Sequence, residues 1–218
     1  MLCCSAVLLG VGCGKSSSSK PEKKQAASSR LDQLLKDLGD QADVAKEAGC
    51  TITTPRMLEA THKNAQDIAD IHYSSDPPSS GPHMVDWAAW GFYDKPVKNA
   101  YVVHNLEHGG VALWYGDGVS DTHKKLIRDS VLDQDEKWIV SPLKGLDGIV
   151  TSSWGTRMEC PGDALGTLPP DALQKLLDTW FQKTQSTQTE KEADIPAYAG
   201  AMSGPKPDRD ISTPSPNY

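Results

Sequence analysis

A chain of 218 residues with 22 basic and 29 acidic residues, net charge −7, has room for one ordinary domain with appendages. It lacks the basic block that nucleic-acid binders carry, and no nucleic-acid partner is expected. Its apolar N-terminal run of about ten residues is too short to cross a bilayer, which takes roughly twenty.

That run, Met1 to Val11, reads as the hydrophobic part of a signal peptide over 1–12. The usual positive residues in front of it are missing, so the true start is expected further upstream. The segment LLGVGC resembles a bacterial lipobox, with small Gly12 before Cys13 and Leu9 one place further back than is usual. The resemblance implies cleavage before Cys13 and diacylation of that cysteine. The following GKSSSSKPEKKQAASS has the composition of a solvated, flexible tether over 13–29. Gly14, where Asp would retain such a lipoprotein at the inner membrane, points to the outer membrane, facing the periplasm or the cell surface. The expected partner is thus the membrane, through the N-terminal lipid; no protein partner is specified. A plain secretory signal or an inner-membrane anchor fragment is the alternative.

Export implies an oxidising compartment. Cys3 and Cys4 go with the signal and Cys13 with the lipid, leaving Cys50 and Cys160 as an expected disulfide. Two buried thiols, or a thiolate metal ligand at Cys160, are the alternatives.

The single globular domain is expected over 30–184. Ser29 to Asp32 has the form of a capping box, and Leu31, Leu34, Leu35, Leu38, Ala42 and Ala45 then recur at helical spacing. Gly39 is a plausible break and Gly49 a natural stop. Residues 51–71 are ambiguous, with room for a short helix from Leu58 to Ile71. In YSSDPPSSGPHMVDWAAWGFYDKP, Pro77, Pro78 and Pro82 fix φ and remove donors, which predicts a rigid extended loop carrying His83. Tyr101–Leu106 and Val111–Tyr115 are rich in β-branched and aromatic residues and read as strands. A helix capped by Asp121, with Leu126, Ile127 and Val131 inward, comes next. KWIVSP and GIVTSSWGT are two further strands, and Pro169-Pro170 opens a last helix with Leu173, Leu176, Leu177 and Trp180 inward. The order β-β-α-β-β-α predicts an α+β fold, an antiparallel sheet with helices on one face. Residues 185–218, polar and proline-rich, read as a disordered tail.

Within AYVVHNLEHGGVALWY lies His-x-x-Glu-His: His104, Glu107 and His108. On a helix this string can form a zinc peptidase site, with two imidazoles on one face and Glu107 as general base. Val102 and Val103 before it, and Gly109 and Gly110 directly after it, favour a strand. A straight strand would set the histidines about 13 Å apart, too far for one ion. A sharp bend at the double glycine could bring them together. His83 is then the best third ligand, on its proline-stiffened loop, with His62 and His72 behind it; His123 is expected to be solvated.

Three stretches, YSSDPPSSGPHMVDWAAWGFYDKP, VVHNLEHGGVALWY and SSWGTRMEC, together resemble the bacterial family called domain of unknown function 3105. The resemblance covers about Cys50 to Phe181, with Ser79 where Thr is common and Thr156 inserted before Arg157. It picks out His83, His104, Glu107 and His108, and more weakly His62. It implies exported or membrane-tethered proteins and carries no established activity.

Three readings follow. One is a lipid-anchored envelope protein binding copper or zinc through His83, His104, His108 and His62. A second is a metal-dependent hydrolase or peptidase using Glu107 as base. The third is a structural or adhesion lipoprotein without metal, its histidines bonded to backbone carbonyls. Met84 and Met158 could supply thioethers to copper(I), against ordinary core packing. The chain has no nucleophile triad, phosphate-cradling loop or dinucleotide fingerprint, so binding is favoured over catalysis.

Overall fold

The computed structural model describes residues 19–132 and 137–185. The proposed signal segment and Cys13 lie outside the described residues, as does the tail from 186 onward.

Helix α1 runs Ser19–Leu38, ten residues earlier than the capping-box reading places it, so the expected tether is helical from residue 19. Ser29 is not a cap: it lies inside α1, and its hydroxyl donates back to the Ala26 carbonyl at 3.0 Å. The break at Gly39 is real, with φ 53, and α2 follows over Asp40–Glu47. Gly49, φ 90, turns the chain out of it.

The sheet has six strands in the order β1-β8-β7-β5-β6-β4. Strands β1 (Thr51–Thr53), β7 (Ile149–Ser153), β8 (Thr156–Cys160) and β5 (Val111–Tyr115) pair antiparallel. Strand β6 (Trp138–Pro142) runs parallel to β5, and β4 (Gly91–Phe92) parallel to β6. The α+β reading holds, with a sheet that is mixed though mostly antiparallel. GIVTSSWGT is not one strand: Gly155, φ 76, turns it into the β7–β8 hairpin. A two-residue ladder stands apart, β2 (His62–Lys63) parallel to β3 (His83–Met84). Residues Ala65–Asp70 between them form a 3-10 helix.

Helices cover both sheet faces, not one. On the first face, α4 (Asp121–Leu132) and α6 (Pro170–Gln185) join α1 and α2 over a core that includes Leu34, Leu113, Ile127, Val140, Met158 and Trp180. On the second face, α3 (Asn99–Glu107) sets Val102 and Leu106 against Ala112, Trp114, Ile139 and Val150. A short helix α5, Gly162–Thr167, precedes α6. Strand β5 is buried along its whole length, as its apolar run requires between two helical layers. The cap of α4 is Ser120, whose hydroxyl accepts from the His123 amide at 3.2 Å, and not Asp121.

Cys50 and Cys160 form a disulfide across the β1–β8 edge, 110 residues apart in sequence. In the chain-entropy account, closing a loop that long stabilises the fold by about 4–5 kcal/mol. The bond removes Cys160 from the thiolate ligands, and Met158 packs in the first-face core.

Candidate metal centre

His104, Glu107 and His108 stand on a helix and its cap, not on a strand. Residues Asn99–Glu107 are helical despite Val102 and Val103. The β-branched penalty is a few tenths of a kcal/mol per residue, whereas each of these fully buried valines contributes roughly 1.5–3 kcal/mol. The double glycine is the helix terminator. Gly109, φ 79, donates to the Leu106 carbonyl and Gly110 to the Asn105 carbonyl at 2.9 Å, the paired bonds of a Schellman cap. Gly110 must also be small, because a Cβ there would fall 2.3 Å from the Trp90 ring. Lys137 donates to the His108 carbonyl at 3.2 Å, placing a cation at the negative end of α3.

The helical spacing of i and i+4 brings the His104 and His108 Nε2 atoms to 2.8 Å. His83 and His62 arrive from elsewhere. They are direct register partners in the β2–β3 ladder, so their rings project side by side, with centroids 5.0 Å apart. The His83 amide donates to the Thr61 carbonyl at 3.0 Å, which pins the ladder. The proline-bearing loop that delivers His83 is buried at Ser79 and Ser80. His83 lies 4.7 Å from His104, ring to ring.

One nitrogen from each of His62, His83 and His104 and one oxygen of Glu107 all lie within 4.8 Å of one another. Zinc–nitrogen bonds near 2 Å put tetrahedral ligands roughly 3.4 Å apart, so small adjustments of these side chains would let the set hold one ion. His108 stands one step outside, against His104 and beneath Trp87, whose ring centroid is 4.1 Å away. His72 is exposed and outside the group, and His123 bonds Ser120 on α4.

The ring orientations carry the chemistry. Nδ1 of His83 donates to the Gly81 carbonyl at 2.8 Å, and Nδ1 of His104 to the Met84 carbonyl at 2.7 Å. In each ring Nε2 is thereby the nitrogen that faces the cluster. This is the arrangement in which metal-ligating histidines are usually held. The Met84 side of that contact is its backbone oxygen, not its sulfur. Nε2 of His83 is buried and has no aligned hydrogen-bond partner, yet Glu107 Oε2 is 2.9 Å from it. A ring nitrogen and a carboxylate oxygen at that distance are held together by a proton or a cation between them, which is the sense in which the contact stabilises the Glu107 carboxylate.

Burial, then repulsion from His83 and His108, pushes the His104 pKa down to about 4, against a rise from its bond to Met84. The ring is therefore neutral and a competent ligand at pH 7. Burial pushes Glu107 up, but the His83 contact and the neighbouring imidazoles outweigh it and hold the carboxylate below its usual range.

Two supporting groups are not among the candidate site residues. The Asn105 side chain accepts from the Ala88 amide at 3.0 Å and donates to the Ala88 carbonyl at 2.8 Å, clamping the adjacent Trp87 over His104 and His108. Trp154 stands edge-on to His83 at 6.3 Å. For Asn105, its place inside the His-x-x-Glu-His string is the one hint. The groove lined by Lys125, Asp129 and Gln174 belongs to α4 and α6, on the opposite sheet face.

Residues 64–196 match the family described as "Protein of unknown function (DUF3105)", a stretch that holds His83, His104, Glu107 and His108 and begins two residues after His62. No curated protein and no solved structure matches the chain.

Proposed function

The chain belongs to the DUF3105 family, and from that premise we propose that it is a cell-envelope protein that binds one transition-metal ion through His62, His83, His104 and Glu107. The observation that carries this reading is the pair of buried imidazoles, His83 and His104, with Nδ1 committed to main-chain carbonyls and Nε2 turned into the cluster, where that of His83 meets Glu107 and that of His104 meets His108. Three imidazoles and a carboxylate form a borderline donor set that suits zinc or copper(II). Cys160 is held in the disulfide and Met158 packs in the first-face core, so neither supplies the soft sulfur that copper(I) prefers. The Cys50–Cys160 bond supports an oxidising compartment, and Cys13 is the proposed lipid attachment to the outer membrane.

Elemental analysis of the purified chain tests the reading. One equivalent of zinc or copper is expected in the wild type and a sharp loss in His83→Ala and His104→Ala. Folded wild-type protein that retains no metal after dialysis against either ion would sink it.

One observation favours a second reading, a metal-dependent hydrolase: the His-x-x-Glu-His string does lie on a helix. Against it, Glu107 sits among the ligands, 2.9 Å from His83 and 4.0 Å from His62. A general base would instead face a water on an ion held by His104 and His108.

A further inference from the structure

Resting on the metal-site reading, we propose that the ion enters and leaves through release of His62, so that the centre is built to pass its ion on. The four ligands are held very unequally. The His83 side chain is wholly buried, whereas that of His62 is 55 % exposed. The rings of His83 and His104 are each locked by a carbonyl. Among the described residues no hydrogen bond ties the His62 ring, which meets the others only through ring contacts and a 4.0 Å approach to Glu107. Its backbone belongs to a two-residue strand outside the main sheet. Three ligands thus form a fixed base, and the fourth is a hinged cover facing water.

The step is a ligand substitution without redox change. The His62–metal bond breaks, its lone pair is taken up by water or a proton, and an incoming imidazole, thiolate or carboxylate of an acceptor forms a bond to the ion. The acceptor then draws the ion away from His83, His104 and Glu107. Trp87 and Trp154 stand against His104 and His83, whereas the His62 side chain faces water, so the acceptor approaches at His62.

The test uses the full chain loaded with zinc, mixed with excess chromophoric chelator and followed by stopped flow. His62→Ala should still bind one zinc at saturation but release it about tenfold or more faster than wild type. Free imidazole should restore slow release, because the vacated position opens to solvent. It should not restore His83→Ala, whose position is buried, and His72→Ala should match wild type. Release from His62→Ala at the wild-type rate, or imidazole rescue of His83→Ala equal to that of His62→Ala, overturns the proposal while leaving the metal site standing. A wild-type chain that binds no zinc removes both.

Discussion

His83 Nε2 lies 2.9 Å from Glu107 Oε2, although the two residues reach that contact from different elements, a short strand behind a proline loop and the last turn of a helix. Neither residue's local context requires the other. The meeting places a carboxylate against a buried ring nitrogen, a contact that a proton or a metal cation between the two atoms would hold.

Glu107→Gln replaces the charged ligand by a neutral one of the same shape. Metal affinity is expected to fall by about 10–100-fold, measured by competition titration with a chelator of known affinity. If affinity is unchanged and a hydrolytic activity of the wild type disappears instead, the hydrolase reading takes precedence.

His108 lies outside the four-ligand group and bonds to His104 through Nε2. An ion that takes the His104 lone pair displaces that bond. His108→Ala should therefore retain one equivalent of metal under conditions in which His104→Ala retains none. Equal losses in the two variants would place His108 among the ligands.

The metal-free protein should lose stability as pH falls. The unfolded chain takes a proton at His104 below about 6.5, while the folded protein resists until about 4. Protons therefore favour the unfolded state across that window, and the stability present above 6.5 declines towards pH 4. Urea unfolding between pH 7 and 4 should show a steeper decline in the wild type than in His104→Gln. Parallel profiles would mean that His104 titrates normally.

Gly110→Ala drives a methyl group into the Trp90 ring and to 2.8 Å from the Asn105 carbonyl. The cost expected is roughly 1–3 kcal/mol. Gly109→Ala, which strains the left-handed backbone, should cost about 1–2 kcal/mol. Thermal and urea unfolding compare the two. A Gly110→Ala protein as stable as wild type would show that segment 87–90 is not packed against the α3 cap.

Much of the architecture is legible locally. Gly39 ends a helix where the periodicity breaks, and the α4 and α6 patterns match because their apolar residues recur on one face. The last two cysteines pair as parity suggests. Tyr101–Leu106 misleads because β-branched residues prefer strands in isolation, and a buried helix overrides that small preference. The double glycine does reverse the chain, but the element it terminates is a helix and not a strand. Strands β2, β3 and β4, two residues each, are too short to leave a periodic signal.

By itself the sequence determined the chemical inventory: which imidazoles exist, that prolines stiffen the approach to His83, and that Glu107 lies between two histidines. Residue type and backbone restriction are written into the chain one position at a time. Only the tertiary structure decided that His62 and His83 pair in register, that both meet His104 and Glu107, and that His108 stands aside. Those relations join segments far apart in the chain, and packing of α3 against the sheet sets them through distances that no local pattern encodes.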